Sequence, residues 1–96
     1  MSGHRVVITG AGTINALGHS VDDTLEAMRE GRCGIGPLSF RDVDRLAIKI
    51  GGQVTNFHPD EVFNRQQLAL YDRFTQFTLL AAEQAISQAG VEFVGE

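Results

Sequence analysis

The sequence lacks the features that mark several classes of protein. It has one cysteine in 96 residues, which excludes an internal disulfide and fits a reducing compartment. Lys and Arg number 8 against 12 Asp and Glu, giving a net charge of −4. A nucleic-acid surface needs clustered positive charge, so the composition argues against nucleic acid as a partner.

Long apolar runs are also missing. Residues 6–21 carry no charge, but Gly, Thr, Asn, His and Ser interrupt them, so they predict no membrane span. No apolar segment with a small-residue cleavage site follows His4 and Arg5, as a signal peptide would require. We therefore expect a cytoplasmic chain.

Metal-ligand spacing is absent as well, because the three histidines and Cys33 form neither C-x-x-C nor H-x-x-x-H. The sequence predicts no metal and no cofactor. The hydrophobic content of 43% is that of a globular protein, and the length allows one domain at most.

The first third of the chain reads as strand, glycine loop and helix. Val6–Thr9 is a β-branched run, apolar at consecutive positions, which predicts a strand buried on both faces of a parallel sheet. Glycines at 10, 12 and 18 let the backbone of the following loop swing freely. Ser20 is the expected N-cap of a helix ending at Gly31. Its predicted inner face is Val21, Leu25 and Met28.

The middle of the chain predicts short elements. Glycines and a proline in residues 31–37 predict no regular structure there. The alternation around Ile48 and Ile50, with Val54 beyond, predicts a short edge strand or hairpin arm. A one-turn helix is expected to start at Pro59. Asn64 begins the next predicted helix, with a capping pattern.

The longest predicted element is a helix between Asp72 as N-cap and Gly90 as an αL stop. Its expected apolar face is Phe74, Phe77, Thr78, Ala81, Ala85 and Ala89, widened by Leu79, Ala82 and Ile86. Its expected solvent-facing stripe contains Gln76, Glu83, Ser87 and Gln88. So narrow a polar stripe indicates packing partners on more than one side.

The predicted elements do not complete a sheet. One strong strand and one weak strand cannot form the parallel sheet that Val6–Thr9 requires, because parallel neighbours need crossover connections. We therefore expect residues 1–96 to be the incomplete N-terminal part of a larger α/β protein.

The glycine loop is the first candidate site, since strand, glycine turn and helix can bind nucleotide phosphates. The dinucleotide fingerprint G-x-G-x-x-G fails, because Asn15 stands where the third glycine belongs. No Gly-Lys-Ser/Thr motif is present either. A tight structural connection is the better interpretation of this loop.

Cys33 is the second candidate, because the neighbouring Arg32 could favour a thiolate. A nucleophile also needs a base, and His4, His19 and His58 are too scattered in sequence to pair with it. A small residue packed in a loop is the alternative interpretation.

Three stretches together resemble the β-ketoacyl-acyl carrier protein synthases. Val6–Gly10 with Gly12 and Leu17-Gly18 looks like the opening of the elongating type II enzymes. Residues 31–35, GRCGI, are similar to their Gly-x-Ser-Gly-Ile. Residues 72–77, DRFTQF, with the Ala-rich turns that follow, resemble Asp-Arg-Phe-x-x-Tyr/Phe.

The resemblance implies a thiolase-like fold, layered α-β-α-β-α, in a homodimer. It implies decarboxylative condensation of malonyl-carrier with an acyl chain held as a thioester, with acyl carrier protein as partner. In the family, a Cys and two His do this work well downstream of the matched region. Cys33 aligns with the family's Ser, so the resemblance assigns no catalytic residue to this chain.

Some positions depart from the family pattern. Leu25 stands in place of a usual Trp, and Ala16 in place of a frequent Pro. Before Asp72 the family often carries Lys and Arg facing the carrier protein, whereas here Gln66, Ala69 and Leu70 are neutral. Arg65 remains as the candidate carrier-docking residue; an ordinary surface residue is the alternative.

The sequence thus predicts part of a 3-oxoacyl-carrier synthase of fatty-acid elongation. A polyketide-type ketosynthase and a catalytically dead fragment that only packs against a partner remain open. A dehydrogenase-like nucleotide-binding domain is the least favoured alternative.

Overall fold

The computed structural model describes residues 3–93, so the first two and last three residues of the predicted 1–96 unit lie outside the described part. The elements are helix α1 (Val21–Arg29), strand β1 (Ile35–Pro37), strand β2 (Ile50–Gly52), helix α2 (Arg65–Leu70) and helix α3 (Arg73–Ala89). Single 3-10 turns occur at Val43–Arg45 and Pro59–Glu61. The chain is α/β with two main helices, as predicted.

Helix α3 begins and ends where the sequence predicts. The Asp72 carboxylate accepts a hydrogen bond from the Thr75 amide at 3.0 Å, which satisfies a first-turn donor. Gly90 adopts φ +70°, and its amide donates to the carbonyl of Ile86. A left-handed residue of this kind is strained for any side chain with a Cβ, which is why glycine ends the helix.

The predicted apolar face of α3 holds at Phe77, Ala81, Ala85 and Ala89, which are half-buried, but other positions differ from the prediction. Gln76, expected in the solvent-facing stripe, is 6% exposed, and its side chain donates to the carbonyl of Tyr71. Phe74, expected in the apolar face, is 71% exposed. The apolar periodicity predicts the helix itself. Which of its side chains are buried depends on the segments that pack against it.

Helix α1 starts as predicted and packs differently. The Ser20 hydroxyl accepts from the Asp23 amide at 3.1 Å, and the helix stops just before Gly31, which has φ +72°. The predicted inner face is wrong, since Leu25 and Met28 are exposed while Ala27 is buried. The described residues provide no segment that covers the two larger side chains.

Helix α2 has the predicted capping box. The Asn64 side chain accepts from the Gln67 amide at 2.8 Å, and the Gln67 side chain accepts from the Asn64 amide at 2.9 Å. These reciprocal bonds satisfy two donors that a six-residue helix would otherwise leave unpaired. The turn at Pro59–Glu61, also predicted, precedes it.

The two strands form an antiparallel pair with Ile35 opposite Gly52 and Pro37 opposite Ile50. The prediction of a hairpin arm near residues 48–54 is confirmed by β2. The prediction that residues 31–37 contain no regular element is wrong, because β1 lies there. Pro37 is tolerated because it closes a strand of a two-stranded ribbon, where one side of each strand needs no donor.

The predicted buried strand at Val6–Thr9 is wrong for this structure. These residues pair with no strand among residues 3–93, and Val6 and Ile8 are each 89% exposed. A strand forms only when a neighbour pairs with its backbone, and the sheet among the described residues contains β1 and β2 alone. The apolar run is present, but the described chain offers it no sheet.

The described residues enclose very little core. Only Ala27, Phe63 and Gln76 are buried among them. The radius of gyration is 17.3 Å, whereas a compact domain of this length has about 12.5 Å. The accessible surface of 8128 Å² also exceeds the roughly 5,400 Å² of a folded monomer of this mass. The chain is therefore far more open than an independent domain.

Candidate functional site

The glycine loop, residues 10–18, lies directly against the backbone of α3. A Cβ atom added at Gly10 would overlap the carbonyl oxygen of Ala85, and one added at Gly12 would overlap that of Ala81. Small residues on both sides let the two backbones meet, because any larger side chain would hold them apart. The loop therefore packs in close backbone contact with α3.

Two glutamines of α3 bind the backbone of this loop. The Gln88 side-chain oxygen accepts from the Ala11 amide at 2.8 Å. The Gln84 oxygen accepts from the Thr13 amide at 3.1 Å, and its nitrogen donates to the His19 carbonyl at 2.6 Å. Spaced four residues apart, the two side chains project from one face of the helix and hold the loop along one turn.

Asn15 connects the loop to α1. Its amide nitrogen donates to the hydroxyls of Thr13, at 3.0 Å, and Thr24, at 2.9 Å. Its side-chain oxygen accepts from the amides of Leu17, at 2.8 Å, and Gly18, at 3.2 Å. Asn15 occupies the position where a dinucleotide fingerprint would have glycine, and here it is the centre of a hydrogen-bond network.

This network bears on the nucleotide hypothesis. Phosphate binding by such a loop requires free backbone amides at a helix N-terminus. In this chain the amides of Ala11, Thr13, Leu17 and Gly18 all donate to side chains of the protein. The geometry therefore favours the structural interpretation of the loop.

The segment containing Cys33 packs on the other side of the same loop. A Cβ added at Gly34 would lie 3.1 Å from the Ala16 Cβ and 3.3 Å from a Leu17 methyl carbon. The loop thus contacts both α3 and Gly34, the residue directly before β1. The three stretches that carry the family resemblance, far apart in sequence, meet in one place.

Cys33 and His19 line one cleft of about 430 Å³, yet each is hydrogen-bonded elsewhere. The Cys33 sulfur lies 3.4 Å from the Ile35 amide nitrogen, and the thiol is exposed. His19 Nε2 lies 2.7 Å from the Thr55 carbonyl oxygen, so this nitrogen carries the proton and donates it. No nucleophile–base hydrogen bond is present among residues 3–93, and the assignment of no catalytic residue stays a prediction.

A second open cleft, of about 450 Å³, lies between residues 56–62 and α3. Its ionisable lining residues are His19, His58, Glu61 and Glu83. Within the described range, no three His, Cys, Asp or Glu side chains come together in a way that could hold a metal ion. The expectation of no metal stays a prediction of the sequence.

Arg65, the candidate docking residue, is the first residue of α2 and is exposed. It forms no salt bridge with any residue in the 3–93 range. Leu70, at the other end of the helix, is 79% exposed. The acidic turn Pro59–Glu61 contacts α2, and the role of Arg65 in carrier docking stays a prediction.

An aromatic cluster orients the start of α3. The Phe57 ring packs edge-on against Phe77, with 5.0 Å between centroids, and against His19, at 6.2 Å. The Arg73 guanidinium lies 5.2 Å from the Phe57 centroid, within cation–π range. In the D-R-F motif, Asp72 therefore caps the helix and Arg73 holds the preceding loop.

The roles of Phe57, Gln84 and Gln88 in binding the loops were not predicted from the sequence. Two glutamines four residues apart in an Ala-rich helix are a usable signal for recognition of a neighbouring backbone. Phe57 gave no comparable signal, because its partners lie 16 or more residues away and depend on tertiary structure.

No helix among the described residues is long and apolar enough to cross a membrane.

Comparison with known proteins identifies the family. The model of the β-ketoacyl synthase N-terminal domain matches residues 3–93. The chain is 38% identical over 85 residues to 3-oxoacyl-[acyl-carrier-protein] synthase 2 of Synechocystis sp., covering 88% of this chain and 20% of that protein. It is 34% identical over 92 residues to the enzyme of the same name from Coxiella burnetii, covering 96% and 22%.

Two further relatives carry different names. Nodulation protein E of Rhizobium sp. is 39% identical over 87 residues, covering 91% of this chain and 21% of that protein. The solved structure of the ishigamide ketosynthase/chain length factor superposes with a TM-score of 0.76 at 28% identity, covering 90% of this chain and 21% of that chain. The thiolase-like fold expected from the resemblance is thereby confirmed.

The chain spans about a fifth of the length of the relatives it matches. The match nevertheless extends over nearly all of the chain, and the three resembling stretches occupy one contiguous region of the structure. The chain belongs to the β-ketoacyl synthase family, to whose N-terminal domain residues 3–93 correspond.

Proposed function

We propose that the complete protein is a 3-oxoacyl-acyl carrier protein synthase of fatty-acid elongation. It would condense malonyl-carrier, with loss of CO2, onto an acyl thioester held on the enzyme, and so act as an acyltransferase. The observation that carries this proposal is the family match over residues 3–93, together with relatives named 3-oxoacyl-[acyl-carrier-protein] synthase 2.

Residues 1–96 are, in this proposal, the incomplete N-terminal part of a thiolase-like condensing domain. They contribute scaffold and no catalytic residue. The hydrogen bonds of Gln84, Gln88 and Asn15 support this role, because these polar side chains hold the glycine loop against α3 and α1. The exposed apolar run at Val6–Ile8 also supports it, since such a run needs a sheet to join.

A polyketide-type ketosynthase is the second candidate function. One solved structure to which the chain is similar is a ketosynthase/chain length factor, and this likeness supports the second candidate. A catalytically dead fragment that only packs against a partner is a third candidate.

The partners we propose are acyl carrier protein and acyl and malonyl thioesters. We propose that the complete protein is a cytoplasmic homodimer that binds no nucleic acid.

The direct test is condensation by the complete protein. Purified protein is incubated with malonyl-carrier and acyl-carriers of several chain lengths, and products are followed by mass spectrometry. A 3-oxoacyl-carrier two carbons longer than the starting acyl group is the expected product. Repeated extension without reduction would favour the polyketide function, and no product from any acyl-carrier would contradict both.

Arg65 is the proposed contact for the acidic carrier protein. We expect Arg65→Glu in the complete protein to raise KM for malonyl-carrier about two- to fivefold with little change in kcat, because an exposed ion pair contributes up to about 1 kcal/mol. Steady-state kinetics at low salt would measure it.

Arg41→Glu is the matched control, since the Arg41 side chain is 96% exposed and its contact with Asp42 is long, at 3.9 Å. If both variants raise KM equally, the effect is one of net charge and the docking role is wrong. An unchanged KM in Arg65→Glu would show that Arg65 is an ordinary surface residue.

A further inference from the structure

We draw no further inference here: the strongest candidate, the exposed apolar run Val6–Ile8 before the glycine loop, belongs to the scaffold role already proposed, and nothing in the structure shows what covers it.

Discussion

At the scale of single residues, the glycines of the loop are required for proximity. Their freedom of rotation suggested a flexible turn, but the described glycines with positive φ are Gly31 and Gly90, not Gly10 or Gly12. The last two are glycine because the backbone of α3 occupies the space where a Cβ would stand. Such a requirement depends on a helix some 70 residues later and cannot be deduced locally.

Gly12→Ala should therefore destabilise the protein by about 1 to 3 kcal/mol, because the new methyl group must push the loop away from the Ala81 carbonyl. Thermal unfolding of the complete protein would show the loss as a lower Tm.

Gly36→Ala provides the control for Gly12→Ala. A Cβ at Gly36 would meet no atom within 4 Å, and its φ is not positive, so its Tm should be close to that of the unsubstituted protein. Equal Tm values for the two variants would contradict the close packing of the loop on α3.

Gln84 provides a second prediction at the residue scale. Gln84→Ala removes the partner of the Thr13 amide and of the His19 carbonyl, both part-buried. Leaving them unpaired should cost about 1 to 3 kcal/mol, whereas Glu83→Ala, at an exposed neighbouring position, should stay within about 0.5 kcal/mol. Denaturant unfolding of the complete protein would compare the two variants. Similar losses in the free energy of unfolding would rule out a specific role for Gln84.

At the scale of secondary structure, the capping residues in the sequence correctly predicted where the helices begin and end. Ser20, Asn64 and Asp72 each accept the expected first-turn amide, and Gly90 ends α3 in the expected conformation. Caps succeed because donor and acceptor lie three residues apart, so no distant partner is needed.

The cap of α3 is testable by substitution. We expect Asp72→Ala to lower stability by about 1 kcal/mol, while Asp72→Asn, which keeps a side-chain oxygen for the Thr75 amide, should lose much less. Thermal unfolding of the complete protein, followed by circular dichroism, would distinguish the two variants by their Tm. Equal losses in Ala and Asn variants would mean that charge, not the hydrogen bond, is what the position supplies.

Strands were predicted less well, for a physical reason. The β-branched run at Val6–Thr9 has high strand propensity but pairs with no described strand, whereas the Gly- and Pro-containing Ile35–Pro37 is a strand because β2 lies beside it. Propensity describes how a residue fits a sheet that already exists. Pairing decides where the sheet is.

At the scale of the whole molecule, the open shape predicts low stability in isolation. Large apolar side chains at both ends of the chain remain in water, among them Val6, Ile8 and Phe74, so burial cannot offset the entropy of ordering the chain. The fold is similar to one region of a ketosynthase about four times as long.

We accordingly expect the isolated 96-residue chain to unfold without a sharp transition, to bind a hydrophobic dye, and to form no 3-oxoacyl product. Calorimetry, dye fluorescence and product analysis would check these three properties. A cooperative melt of a monomer would contradict the stability argument, and product formation would show that catalytic residues lie within residues 1–96.

The sequence by itself determined the helix limits, the caps and the family, because these depend on residues close together or on motifs kept in order. Tertiary structure decided which face of α3 is covered, why Gly10 and Gly12 are glycine, and that Gln84, Gln88 and Asn15 hold the loop. These features depend on contacts between segments up to 77 residues apart. Hydrophobic periodicity identifies an apolar face but does not identify the segment that packs against it.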